Sequence, residues 1–121
     1  MEDDIYKQQI VERFQKPKFK GELSTPVMES TETNPLCGDW VRFQLQDKNG
    51  KIVEAAWQGE GCAISLASAD LLAEKLIDMS ADDVLQITEE DILAMLGIEL
   101  KPSRIKCAVL PMICVKKGMK A

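Results

Sequence analysis

The sequence predicts an α+β fold in which a small antiparallel sheet carries its helices on one face, all within a single domain. Three observations carry that expectation. Apolar residues alternate strictly from Trp40, an Asn49-Gly50 pair follows at hairpin spacing, and from Cys62 onward nearly every segment has a helical period or a helix-start signal. The 121 residues suit one core and leave no room for a second of ordinary size. Hydrophobic residues at 45% and charged residues at 29% argue against disorder or low complexity.

Residues 3–15 place Ile5, Tyr6, Ile10, Val11 and Phe14 at three- and four-residue spacings, an amphipathic first helix that Pro17 stops. Residues 16–36 hold Pro17, Gly21, Pro26 and Pro35 and read as connecting chain with one short strand around Pro26–Glu29. Val41, Phe43 and Leu45 then share one face of a strand, with Arg42, Gln44 and Gln46 on the other. Asp47-Lys48-Asn49-Gly50 supplies the turn, Ile52–Gln58 the returning strand, and Gly59-Glu60-Gly61 breaks it. Cys62–Met79 reads as a helix with Cys62 at its N-terminus and with Asp70, Glu74 and Asp78 four apart on a solvated face. Ser80 with Asp83 and Thr88 with Asp91 are spaced as capping boxes for two short helices, the second closed by Gly97. Pro102 punctuates, and Ser103–Lys120 forms a last helix that tolerates Pro111 only in the first turn of its regular part.

Fifteen Lys and Arg stand against twenty Asp and Glu, and six of the cations but none of the acids fall in residues 101–121. The C-terminal end is locally positive on an acidic chain of net charge −5, a balance that argues against nucleic-acid or anionic-membrane binding. No apolar run approaches the roughly 20 residues of a membrane span. The acidic start, Met1-Glu2-Asp3-Asp4, lacks the basic character of a secretory signal, so a cytoplasmic protein is expected. Thiols stay reduced there, which makes the four cysteines candidates for metal or sulfur chemistry rather than disulfides. Histidine is absent, which excludes imidazole bases and ligands.

The cysteines lie at 37, 62, 107 and 114 with no Cys-x-x-Cys pair, so spacing alone says little. Their settings say more. Glycines beside Cys37 and Cys62 keep a sulfur uncovered, and a helix start at Cys62 favours the thiolate. Cys107, near the start of the last helix beside Arg104 and Lys106, has the same advantage. Asp39, two residues beyond Cys37, can add a carboxylate oxygen, which makes Cys37, Asp39, Cys62 and Cys107 the candidate metal set. Plainer readings stand beside these: any free cysteine is most often core, Asp39 suits a turn, Lys106 and Arg104 suit solvent, and Trp40 and Trp57 suit packing. Cys114, between Ile113 and Val115, is read as core.

Taken together, Asn34-Pro35-Leu36-Cys37-Gly38-Asp39, Gly59-Glu60-Gly61-Cys62-Ala63-Ile64-Ser65 with Ala67-Ser68-Ala69, and Arg104-Ile105-Lys106-Cys107-Ala108 resemble the U-type iron-sulfur cluster assembly proteins. This is the IscU/SufU family, also found as the N-terminal domain of NifU. Ile5-Tyr6-Lys7-Gln8 through Pro17 and Gly21 is similar to the family's opening, so the resemblance implies one such domain over residues 1–121. It further implies an exposed site of three cysteines and an aspartate, a pyridoxal-phosphate cysteine desulfurase that delivers persulfide sulfur, and recipient apo iron-sulfur proteins.

Lys106 stands where the IscU branch has histidine and resembles the SufU branch, whereas the 45-residue interval from Cys62 to Cys107 is short, as in IscU. Leu100-Lys101-Pro102-Ser103-Arg104 does not reproduce IscU's Leu-Pro-Pro-Val-Lys, so no dedicated Hsp70 partner is expected. On these terms zinc holds the resting site, a [2Fe–2S] cluster is a transient occupant, and Cys107, with Lys106 beside it, is the expected sulfur acceptor. A scaffold and a zinc-dependent sulfur relay both fit. The alternatives are a structural-zinc interaction module docking through Asp70, Glu74 and Asp78, and a metal-free domain with four inert thiols.

Overall fold

A computed structural model describes residues 2–120. The elements run α1 (Glu2–Gln15), β1 (Met28–Thr33), β2 (Trp40–Lys48), β3 (Lys51–Glu60), α2 (Ala63–Leu76), α3 (Ala81–Leu85), α4 (Glu89–Leu96) and α5 (Pro102–Lys120). The three strands form one antiparallel sheet in the order β1-β2-β3. Helix α5 lies against β1 and β2 and α2 against β3, while α1 packs on α2, which is the α+β arrangement the patterning predicts.

The hairpin forms as its sequence dictates. Lys48 pairs with Lys51 around Asn49 (φ 56°) and Gly50 (φ 80°), the two left-handed residues a two-residue turn requires. Val41, Phe43 and Leu45 are buried on β2, and Trp57 lies opposite Phe43. β3 extends through Gly59 to Glu60 rather than breaking there. Gly59 pairs with Val41, and a Cβ on it would stand 2.5 Å from the Trp40 carbonyl oxygen, so this glycine serves a close strand approach. β1 starts later and runs longer than expected, because Pro26 cannot donate while Met28 to Thr33 pair continuously from Leu45 to Trp40. The connecting chain also contributes: Phe19 and Gly21 exchange backbone hydrogen bonds with Trp57 and cover the free edge of β3.

Both capping boxes are present, at Ser80 with Asp83 and Thr88 with Asp91, and Gly97 closes α4 at φ 70° against the Tyr6 ring. Helix α2 stops at Leu76, not Met79. Beyond it Asp78 donates to the Ile52 carbonyl and Ile52 to that of Met79, so the hairpin captures the chain before another turn can form.

The solvated acidic face expected on α2 does not exist. Asp70 is fully buried, accepting from Arg13 (2.9 Å), the Lys18 and Phe19 amides (3.0 and 2.7 Å) and Trp57 Nε1 (2.9 Å). Glu74 is exposed and pairs with Arg13 at 2.6 Å, and Asp78 lies outside the helix. The inward face of α1 is correspondingly the half-buried Tyr6 with the buried Ile10 and Arg13, while Ile5, Val11 and Phe14 are exposed. Pro111 is a further correction, since α5 runs unbroken from Pro102 to Lys120 with Pro111 in its middle and Pro102 as its first residue.

Candidate metal centre

The first part of the site is the loop between β1 and β2. Asn34 organises it: its side-chain oxygen accepts from the Leu36 amide, its carbonyl from the Cys37 and Gly38 amides, and its own amide donates to the Asp39 carbonyl. Gly38 at φ +76° turns the chain so that Cys37 is exposed at the rim and Asp39, only 7% exposed, enters the protein at the start of β2.

The second part is the start of α2. Cys62 is the N-cap residue with extended backbone, and its amide donates to Asp39 Oδ2 at 3.4 Å. One turn on, the Ser65 hydroxyl donates to the same oxygen at 2.8 Å. The carboxylate therefore sits at the positive end of the helix. A Cβ on Gly61 would stand 2.6 Å from the Asp39 carboxyl carbon, so this glycine makes room for the aspartate more than it uncovers a sulfur.

Cys107 comes from α5 and is buried, at the sixth residue of the helix rather than at its start. The donor atoms of Cys37, Asp39 and Cys107 all lie within 4.8 Å of one another, although Cys37 and Asp39 come from the β1–β2 loop and Cys107 from α5, far along the chain. Cys62 falls outside that limit. Its sulfur is 3.6 Å from Ser65 Oγ, and it stays close enough to act electrostatically on both Asp39 and Cys107. Arg104 and Lys106 are both exposed. Lys106 lines a cleft of about 420 Å³ with Leu36 and Pro102, and Cys37 and Cys107 form part of its wall. Cys114 is apart from all of this, fully buried with its thiol 3.1 Å from the Ser30 carbonyl oxygen.

The electrostatics correct one expectation and sharpen another. Burial pushes the Cys107 thiol up to about 12, with the neighbouring Cys62 and Cys37 adding to the shift, so the basic flank does not make it a ready thiolate. The two cations point into solvent, while the sulfur is desolvated. Burial works in the same direction on Asp39, but hydrogen bonds from Ser65, the Cys62 amide and the two thiols outweigh it and hold the carboxyl below its usual range. An ionised carboxylate among thiols, with no cation on it among the described residues, is a donor set that a divalent metal fits. Thiolate sulfur and carboxylate oxygen are donors of the kind zinc takes, and Cys37, Asp39 and Cys107 bring two sulfurs and one carboxylate together with the Cys62 sulfur nearby. Ser65 is a polar member that the cysteine pattern does not single out, although it lies in the Gly59–Ser65 stretch that carries the family resemblance, three residues beyond Cys62.

The structural-zinc module loses its docking face with the burial of Asp70. Among the described residues, no helix is long and apolar enough to cross a membrane. The chain is 31% identical to the zinc-dependent sulfurtransferase SufU of Bacillus subtilis (strain 168), over 97% of this chain and 90% of that protein. It is 26% identical to the iron-sulfur cluster assembly scaffold protein IscU of Thermotoga maritima, over 96% and 93%. Its fold matches the crystal structure of the N-terminal part of a NifU-like protein from Brucella abortus with a TM-score of 0.75 and 23% identity, over 98% of this chain and 94% of that one. The NifU-like N terminal domain family model matches residues 5–121, and the chain belongs to that family.

Proposed function

We propose that this protein works in iron-sulfur cluster assembly, accepting persulfide sulfur from a cysteine desulfurase and passing it, as sulfur or as an assembled cluster, to recipient apo iron-sulfur proteins. Residues 1–121 are on this reading one NifU-like unit, working in the cytoplasm. The observation that carries the proposal is the convergence of Cys37, Asp39 and Cys107 within 4.8 Å. The family membership and the SufU and IscU relatives support it.

Cys37, Asp39, Cys62 and Cys107 hold the metal, which on this proposal is zinc in the resting protein. Zinc would keep the buried thiols deprotonated, offsetting the desolvation that otherwise keeps Cys107 protonated. Sulfur enters at Cys37, the exposed thiol. Its thiolate attacks the outer sulfur of the desulfurase persulfide, a new sulfur–sulfur bond forms on Cys37, and the desulfurase cysteine leaves as a thiolate. Cys107, the acceptor the sequence suggests, is the buried thiol of the set and on this proposal takes the sulfur second. Lys106, on the cleft wall, attracts the anionic persulfide.

Asp39 supplies a harder, more labile ligand than a thiolate, and it favours release of a transient [2Fe–2S] cargo over retention. Lys106 in place of histidine and the likeness to SufU favour the relay over the scaffold. Metal analysis combined with persulfide transfer to Cys37→Ala, Cys62→Ala and Cys107→Ala chains tests this. Cys107→Ala should still form a persulfide on Cys37, while Cys37→Ala should form none. A metal-free protein whose thiols accept no sulfur would refute the assignment. Stimulation of desulfurase turnover by the zinc form, with no cluster held after anaerobic addition of iron and sulfide, would select the relay.

A further inference from the structure

Pro111 creates a problem in the middle of α5 whose solution reaches the metal centre. Proline has no N–H, so the Cys107 carbonyl, four residues earlier, has no helical donor, and the ring crowds that turn. Two serines from α2 reach carbonyls of this turn, that of Cys107 and its neighbour. Ser65 Oγ lies 3.2 Å from the Cys107 oxygen and Ser68 Oγ 2.6 Å from the Ala108 oxygen, and both serines are buried. Ser65 has a second acceptor in Asp39 Oδ2 at 2.8 Å. A hydroxyl carries one hydrogen, so the Cys107 carbonyl and the Asp39 carboxylate compete for it.

We propose that Ser65 is a positioning residue of the metal centre, a two-way hydrogen-bond switch that Pro111 makes necessary. With the hydroxyl on Asp39, the carboxylate is held at the start of α2 and the Cys107 carbonyl lacks a full partner. When the carboxylate turns toward a cation, the hydroxyl passes to the Cys107 carbonyl and fixes the α5 turn that bears the sulfur. Movement of Asp39 and positioning of Cys107 are thereby linked through one hydrogen. The Cys62 thiol, 3.6 Å from the same hydroxyl oxygen, can donate to it and so joins the link. The inference takes Asp39 as a ligand that comes and goes, and to that extent rests on the function proposed above.

The test is a double-mutant cycle on the full chain, read by cobalt(II) affinity. Pro111→Ala restores an amide for the Cys107 carbonyl, so the loss of cobalt affinity caused by Ser65→Ala should be about fivefold smaller in the Pro111→Ala background than beside the native proline. Equal effects in the two backgrounds would overturn the switch. Cobalt(II) titration followed by its thiolate charge-transfer absorption reads the positioning itself. Ser65→Ala should weaken cobalt binding about tenfold, and Ser65→Thr, which keeps the hydroxyl, should restore it. Unchanged cobalt affinity in Ser65→Ala would also sink the proposal, and this titration decides the matter alone if Pro111→Ala does not fold. Because neither measurement involves sulfur transfer, a chain that shows the coupling but accepts no persulfide refutes the proposed function and leaves the switch standing.

Discussion

Two aspartates, Asp70 on α2 and Asp39 at its N-terminal end, are both withdrawn from solvent, yet they do opposite things. Asp70 is saturated. A guanidinium, two backbone amides and an indole N–H from α1, the following loop and β3 converge on it, so its charge is spent on holding three segments together. Asp39 receives a hydroxyl and an amide, has no cation among the described residues, and faces thiols. Burial alone therefore does not mark a functional carboxylate. What marks it is a charge held by neutral donors with coordination capacity left over.

The substitution expected to act most strongly on this contrast is Asp70→Asn. Removing the charge leaves Arg13 buried beside a group that cannot accept every donor now aimed at it, and the expected loss is about 3–5 kcal/mol in urea unfolding. A loss below about 1 kcal/mol would mean that the network is ornamental and that the two aspartates do not differ in kind.

The two buried thiols outside and inside the site offer the next test. Burial lifts Cys114 from an ordinary 9.0 to about 11. The folded state therefore holds this proton more tightly than the unfolded one, so the stability it contributes is complete below the unfolded pKa and lost as pH climbs through the folded value. Between about pH 9 and 11 the wild-type chain should lose roughly 1.4 kcal/mol per unit relative to Cys114→Ala, followed by denaturant midpoints. Parallel pH profiles for the two proteins would show that this thiol is not desolvated.

Trp57→Phe keeps the ring among its neighbours but removes one donor from Asp70, and about 1.5–2 kcal/mol should be lost. Asp39→Ala should cost the least stability, about 1 kcal/mol, while making a reconstituted cluster several-fold more persistent by absorbance decay. A cluster that decays faster would remove Asp39 from its role as the labile ligand.

Much of the site was legible because its signals are local. Glycines flank Cys37 and Cys62, Asp39 follows at a fixed offset, and these motifs carry the family resemblance. What could not be read was the state of Cys107, since Lys106 and Arg104 are its neighbours in the chain but the thiols of Cys62 and Cys37 are its neighbours in space. Sequence adjacency suggested a lowered thiol pKa, and in the metal-free chain desolvation raises it. The acids at 70, 74 and 78 misled for the same reason. A spacing of four reports that residues share a helical side, not which side faces water, and here Arg13, Trp57 and the loop amides took Asp70 inward.

Local runs of residues were enough to specify the period-two hairpin and its Asn-Gly turn, both capping boxes, the αL stop at Gly97 and the core place of Cys114, because each depends on residues a few positions apart. Three outcomes needed the packed chain: that α2 would be the buried central helix, that its serines would reach the Cys107 and Ala108 carbonyls beside Pro111, and that sulfurs from the β1–β2 loop and α5 would meet one carboxylate. Those outcomes depend on which surfaces exclude water together and on where an orphaned carbonyl finds a donor, and neither is written in any short stretch of sequence.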